Sequence, residues 1–206
     1  NTAEETWQSL LEGKSGAAPF AQFNAANFKT QFGCEVKNLD VEKYINRKEA
    51  RKMDRCTQLA IISAIQGVND SGMDLEKEDK NRIGVVYGIG IGGIHTFQDE
   101  VMNYCENDKT APKFNPYFIP KMISDIAAGQ ISMLYGFHGP NYVTTSACAS
   151  STHALADAFN LLRLGKADVI VAGGAEAAIC QCMHFLPVTM THKAQLVLSV
   201  QVAMVS

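Results

Sequence analysis

A layered α/β fold on a mixed, largely parallel sheet is the class that the 206-residue sequence predicts. Three observations lead there. Short runs rich in β-branched residues, Ile83–Tyr87, Tyr142–Ser146 and Asp168–Ala172, end beside glycine or other small residues, as buried strands do. Segments with apolar residues at helical spacing lie between them. Strands that alternate with helices need crossover connections, and crossovers put helices on the faces of a parallel sheet.

The elements follow in chain order. Thr2–Leu11 reads as a helix: Thr2 caps it, Glu4 and Glu5 suit its positive end, and Trp7, Leu10 and Leu11 form an apolar face. Gly13–Pro19 breaks it. Residues 20–40 are irregular, with a short strand near Cys34–Val36, and Asp40–Tyr44 is a helical turn. Asp54–Ser71 is a firm helix with Leu59, Ile62 and Ile65 on one face and Gly72 as its stop. Asp54 is its N-cap, with a structural salt bridge to Arg55 in preference to any catalytic role. Residues 73–81 are a charged surface connection. Phe97–Cys105 is helical, residues 106–120 form a long loop with Pro112, Pro116 and Pro120, and Met122–Tyr135 is a helix ended by Gly136. Ser150–Leu164 has Leu155, Phe159 and Leu162 at helical spacing and Gly165 past its end. Val197–Val205 alternates weakly and reads as an edge strand or a tail.

Composition removes several function classes. Lys and Arg total 18 against 21 Asp and Glu, a net charge of −3 without a basic block, so no nucleic-acid partner is expected. With 47% hydrophobic and 19% charged residues the chain suits a packed core. No apolar run reaches the ~18 residues that a membrane helix needs, and no signal-like segment opens the chain. No membrane association and a cytoplasmic location are therefore expected, with an N-terminus cut ahead of Asn1. Six cysteines are scattered through apolar sequence, which suits reduced thiols. Cys180-Gln181-Cys182 has no second pair at zinc spacing, and His184 does not complete a site, so no metal is expected.

Two segments carry chemistry. Gly88, Gly90 and Gly93 satisfy a GxGxxG pattern directly after a strand, the arrangement that cradles a pyrophosphate on bare backbone N–H groups. The acidic strand end that should follow about 20 residues later is missing, because residues 110–120 are rich in proline. A tight turn packed against another ligand or against backbone is the competing reading. The second segment is Val143–Ser151, where a strand runs into a helix at Cys148 between Ala147 and Ala149. A helix N-terminus stabilises an anion placed on it, its free N–H groups suit an oxyanion, and a thiol there is a good acceptor for an acyl group from a thioester. A buried structural cysteine is the alternative. His153, five residues on, is turned off the Cys148 face and reads as a packed or hydrogen-bonded helix residue, His138 reads as a solvated turn residue, and His95, His184 and His192 have no supporting context. No Cys–His pair is assigned.

These stretches together resemble the N-terminal part of the β-ketoacyl-[acyl-carrier-protein] synthases, the condensing enzymes of fatty-acid synthesis, especially their type II class. The matching residues are Met53-Asp54-Arg55 with Gln58, Gly88–Ile94, Phe114–Pro120, Tyr135–Pro140, Thr145–Ser150 and Ala167–Glu176, in order over roughly residues 1–179. The resemblance implies the thiolase fold, in which two similar α/β halves form a layered αβαβα core, and implies a homodimer. It implies an acyltransferase without a cofactor: Cys148 takes the acyl chain from acyl carrier protein, and Ile91 gates the acyl pocket. The glycines then make a tight turn beside an acyl chain. The malonyl group on the carrier is decarboxylated, and its carbanion attacks the acyl thioester with the help of two histidines from the second half.

Against that family, residues 1–181 correspond to a thiolase-like half whose first strand, placed in the middle of the sheet in similar proteins, is missing. Residues 182–206 are an atypical tail, free of glycine and acidic residues, as a shifted reading frame produces. None of the five histidines matches the family's catalytic pair, so complete activity is not expected of these residues alone. A non-catalytic partner or interaction module derived from a ketosynthase, and a nucleotide-binding α/β domain, are the alternative readings.

Overall fold

The computed structural model describes residues 2–107, 113–181 and 201–205. Contacts divide the chain into two units, residues 1–40 with 178–199, and residues 41–177 with 200–206. In the first, α1 (Ala3–Leu11) opens on a capping box. Thr2 Oγ1 accepts the Glu5 N–H at 3.2 Å, and Glu5 Oε2 accepts the Thr2 N–H at 3.1 Å. Its apolar residues Trp7, Leu10 and Leu11 are exposed. β1 (Ala18–Pro19) pairs antiparallel with β2 (Phe32–Gly33). The strand thus forms just ahead of the expected Cys34–Val36, because the partner Ala18–Pro19 sets its register. Phe20 stacks on Phe23 at 5.1 Å, and Phe28 meets Phe23 edge-on.

The second unit carries a four-stranded sheet. Its elements are α2 (Arg47–Ala50), α3 (Arg55–Asp70), a 3-10 turn at Lys80–Arg82, β3 (Ile83–Gly88), α4 (Ile94–Glu106), α5 (Phe118–Met122), α6 (Ile126–Tyr135), β4 (Asn141–Thr144), a second 3-10 turn at Ala147–Ala149, α7 (Ser150–Arg163), β5 (Val169–Gly174) and β6 (Gln201–Val205). The strand order is β4-β3-β5-β6. The first three strands are parallel, and β6 pairs antiparallel on β5, which makes the sheet mixed. β3 and β5 pair directly from Ile83↔Val169 to Gly88↔Gly174. Both strands are buried along their whole length, as runs covered on both faces must be.

Period-two alternation divides β3 between two helical layers. Val86, with Ile170 and Ala172, packs on Ala154 and Ala158 of α7. Tyr87 points the other way, and its hydroxyl reaches the Ala60 carbonyl and Ser63 Oγ of α3 at 3.4 Å. Burial of that phenol raises its pKa. At the strand starts, Arg82 pairs with Asp168 at 2.7 Å and donates to the Gly165 carbonyl at 2.9 Å.

Several boundaries differ from the sequence reading. α4 starts three residues before Phe97. The proline-rich segment contains α5, because Pro120 sits in its first turn, where a missing N–H costs no intrahelical bond. The single helix expected over Met122–Tyr135 is split, since Ile123 is extended and α6 starts only at Ile126. Cys182, His184, His192 and Pro112 lie outside the described residues, as does the tail except for β6.

Two glycines set the approach of α7 to the sheet. A Cβ on Gly88 would overlap the Ser150–Ser151 peptide, and a Cβ on Gly174 would overlap the Ser151 side chain. The helix N-terminus therefore rests on the bare backbone at the ends of β3 and β5. Gly88→Ala is expected to cost about 3 kcal/mol by overpacking. Gly129→Ala on α6, where a new Cβ meets nothing within 4 Å, should instead stabilise by about 0.5–1 kcal/mol. Urea midpoints followed by far-ultraviolet circular dichroism would compare them, and equal midpoints would contradict the close approach.

Candidate active site

Cys148 sits on the 3-10 turn between β4 and α7, and it is exposed. The chain reaches it through Ala147 at φ +50°, a left-handed conformation that costs a non-glycine residue about 1 kcal/mol. Ser150 holds that turn from below. Its buried hydroxyl accepts the Ser146 N–H at 2.9 Å and donates to the Ala147 carbonyl at 2.7 Å. Thr144 Oγ1 donates to the Ser150 carbonyl at 2.9 Å. No side chain caps α7. The first amides bonded within the turn belong to Ala149 and Ser150, so the Cys148 N–H precedes them, at the positive end of the helix.

His153 does not serve the thiol. Its Nδ1 shares a 2.7 Å hydrogen bond with Ser146 Oγ, in line with a hydrogen-bonded helix residue. The His138 backbone N–H donates to the Lys80 carbonyl at 2.9 Å, and His95 lies in the first turn of α4.

Ile91 stands beside this loop, 42% exposed, on the glycine turn that leaves β3. Thr145 Oγ1 donates to the Ile89 carbonyl at 2.8 Å and ties the two segments together. A Cβ on Gly90 would come within 4.0 Å of the Ala147 carbonyl. Gly92 has φ +81°, and Gly93 lies against the Lys121–Met122 backbone so closely that a Cβ would overlap it. The turn's Ile89, Ile91 and Gly93 N–H donors are already engaged. Glu176 Oε2 accepts the Ile91 N–H at 2.7 Å, Oε1 accepts the Ala177 N–H at 3.1 Å, and the Gly90 and Gly92 amides also favour the ionised form. Burial works against them and is the larger influence, so the carboxyl lies above its ordinary range. A protein carboxylate thus fills the place that the dinucleotide reading assigns to a pyrophosphate, and the glycines are a close-packed turn.

Asp54 departs from the reading in its partners. It is buried and forms no ion pair with Arg55, whose guanidinium is half buried and lowered in pKa by desolvation. One Asp54 oxygen accepts the Cys56 N–H at 3.0 Å and caps α3. The other accepts the Thr96 N–H at 3.1 Å and the Thr96 hydroxyl at 2.7 Å. A single carboxylate therefore caps two helices, because α4 has no side-chain cap of its own. Cys56 Sγ donates to the Ala175 carbonyl at 3.5 Å, and burial pushes its thiol well up, so it remains protonated. Cys180 is buried and Cys34 half-buried, leaving Cys105 and Cys148 as the exposed thiols among the described residues.

A cleft of about 190 Å³ between Lys52, Met53, Thr57, Tyr117 and Ile126 includes neither Cys148 nor Ile91 among its lining residues. It is smaller than an ordinary ligand pocket of roughly 300–1,000 Å³. Among the described residues no group of three or more His, Cys, Asp and Glu side chains is placed to hold a metal ion. No helix among them is long and apolar enough to cross a membrane.

Sequence reasoning singled out Cys148 and Ile91 but missed Glu176, Ser150 and Thr145 as the groups that hold them. The one sequence signal for Glu176 was an acidic residue two positions after a buried strand that ends in Gly-Gly.

A family model described as "Beta-ketoacyl synthase, N-terminal domain" matches residues 1–191. The 3-oxoacyl-[acyl-carrier-protein] synthase 2 of Staphylococcus aureus is 38% identical over 179 residues, which are 87% of this chain and 44% of that protein. Its counterpart in Vibrio cholerae is 39% identical over 178 residues, covering 86% and 42%. The chain spans less than half the length of these relatives. Among solved structures, the ishigamide ketosynthase/chain length factor superposes with a TM-score of 0.80 at 22% identity, covering 90% of this chain and 46% of that one. A type II polyketide ketosynthase in complex with its acyl-carrier protein gives 0.68 at 26% identity, covering 73% and 43%. The architecture is thus the N-terminal half of a thiolase-like layered fold. β6 lies beyond the residues that the family model matches.

Asp54→Ala uncaps α3 and leaves the Thr96 amide of α4 unpaired. It is expected to cost about 2–3 kcal/mol, with Asp54→Asn costing less. Thermal unfolding of both variants checks this, and identical loss in the two would argue against the double cap.

Proposed function

The chain belongs to the β-ketoacyl synthase N-terminal domain family, and on that premise we propose that it serves an acyltransferase of fatty-acid synthesis in which Cys148 accepts the acyl group. The supporting observation is the exposed Cys148 thiol, set by the left-handed Ala147 at the uncapped mouth of α7. The Cys148 sulfur, as thiolate, attacks the carbonyl carbon of an acyl thioester. The developing oxyanion faces the Cys148 N–H, and the partial positive charge of the helix end favours both anions. As the tetrahedral intermediate collapses, the carbon–sulfur bond to the carrier breaks. The carrier's sulfur leaves as a thiolate and takes up the proton that Cys148 gave to solvent. The acyl group ends as a thioester on Cys148.

Ile91, exposed on the neighbouring turn, lines the path of the acyl chain and limits its passage. Acyl carrier protein is the donor, and a homodimer is the assembly in the complete protein. The condensing step, decarboxylation of a malonyl thioester and attack of its carbanion on the acyl group, falls to the histidines of the fold's second half. Among the described residues His153 is committed to Ser146, so the chemistry supported here is the transfer onto sulfur. The interaction-module alternative gives no reason for an exposed thiol on a strained turn.

Incubation of the purified chain with an acyl thioester should add the acyl mass to the peptide containing Cys148, and Cys148→Ala should abolish it. An adduct confined to Cys105, or none on Cys148, overturns the assignment. Ile91→Trp is expected to slow transfer of a long acyl chain relative to a short one by roughly tenfold. Equal slowing of both chain lengths would remove Ile91 from the acyl path.

A further inference from the structure

We propose that Glu176 is the positioning residue of the Gly88–Gly93 turn, holding Ile91 beside the Cys148 loop through the bond from the Ile91 N–H to its carboxylate. The part of this that concerns acyl chains rests on the function proposed above; the positioning itself does not.

Glu176 follows the end of β5 by two residues, so its backbone is anchored to a fully buried strand. Both carboxylate oxygens are engaged, Oε2 by Ile91 at 2.7 Å and Oε1 by Ala177 at 3.1 Å, which fixes the rotamer. The turn is shaped around this group. A Cβ on Gly90 would stand 2.9 Å from Oε2, so a side chain there would push the carboxylate aside. The Gly90 and Gly92 amides favour the ionised form of the same carboxylate, and Gly92 has φ +81°, a conformation that glycine adopts without strain. On the opposite side the turn is bound to the Cys148 loop by Thr145 Oγ1, and Ser124 Oγ donates to the Ile91 carbonyl at 3.4 Å. Removing the carboxylate takes away the acceptor of the Ile91 N–H and with it the bond that ties the turn to the end of β5. Ile91 then loses its defined position, while Cys148, held separately by Ser150 and Thr144, keeps its own.

Amide hydrogen exchange on the full chain, read by mass spectrometry, tests this directly. Glu176→Ala should speed exchange across residues 88–93 by roughly tenfold or more, with α7 unchanged. Glu176→Gln keeps one carbonyl acceptor and should recover part of the protection. If Glu176→Ala loses protection throughout the chain, the Gln variant decides: faster exchange confined to 88–93 upholds the proposal. Unchanged exchange there, or global loss in both variants, overturns it, since the residue would then be dispensable or merely stabilise the fold. A second arm compares long and short acyl thioesters on Cys148. Glu176→Gln should narrow the wild-type preference between them several-fold while alkylation of Cys148 by iodoacetamide keeps its rate; an unaltered preference overturns the link to Ile91. If the wild-type chain accepts no acyl group, the acyl reading fails, and the exchange arm still decides whether Glu176 positions the turn.

Discussion

The N-terminus of α7 lies directly on the carboxyl ends of β3 and β5, and the placement of every reactive group follows from that contact. Gly88 and Gly174 make it possible, because neither adds a Cβ where Ser150 and Ser151 descend. The pairing Gly88↔Gly174 puts the two bare positions side by side in the sheet. Three parallel strands end at one edge of the sheet, and each releases a different segment there. β3 leads into the turn bearing Ile91, β4 into the turn bearing Cys148, and β5 into Glu176. Ligand sites in open parallel sheets form outside the carboxyl ends of the strands for this reason: loops of separate crossovers converge there.

That edge is rich in polar groups, and they are paired with one another. The strain of a left-handed Ala147 persists because Ser150 bonds on both sides of it. The amides of the glycine turn meet a carboxylate from another strand's end, and the orphan amide of α4 meets the carboxylate that caps α3. The last two of these join segments distant in sequence, Ile91 with Glu176 and Asp54 with Thr96. They hold the edge in one arrangement while leaving the Cys148 thiol uncovered.

Most of the framework was legible in the sequence. The helix over Asp54–Ser71 begins on its predicted cap and stops at Gly72, which has φ +67°. The three runs read as strands are the three parallel strands, each shifted by at most two residues at an end, with β3 and β5 buried and β4 partly exposed. Errors fell where a local rule met a partner it could not see. Proline was read as loop, yet Pro120 sits harmlessly in a first turn. Met122–Tyr135 has unbroken helical character, yet the chain opens at Ile123, next to the place where Gly93 presses on Met122 and Ser124 turns to the Ile91 carbonyl. Asp54 was read as a cap and an ion-pair partner of its neighbour in sequence, but its second oxygen belongs to Thr96. The GxGxxG pattern was ambiguous by nature, since glycines that admit a phosphate equally admit a carboxylate.

By itself the sequence determined the alternation of strands and helices, the caps, and the position of one cysteine between small residues at a strand–helix junction. These are properties of adjacent residues, set by hydrophobic period, backbone propensity and the geometry of a chain that must turn. The tertiary structure alone decided which donors meet which acceptors: that Glu176 fills the glycine turn, that Asp54 serves two helices, that His153 answers to Ser146, and that Cys148 stays open while Cys56 is enclosed. Hydrogen bonding and burial depend on distances across the fold, and those exist only once parallel strands far apart in the chain have been laid side by side.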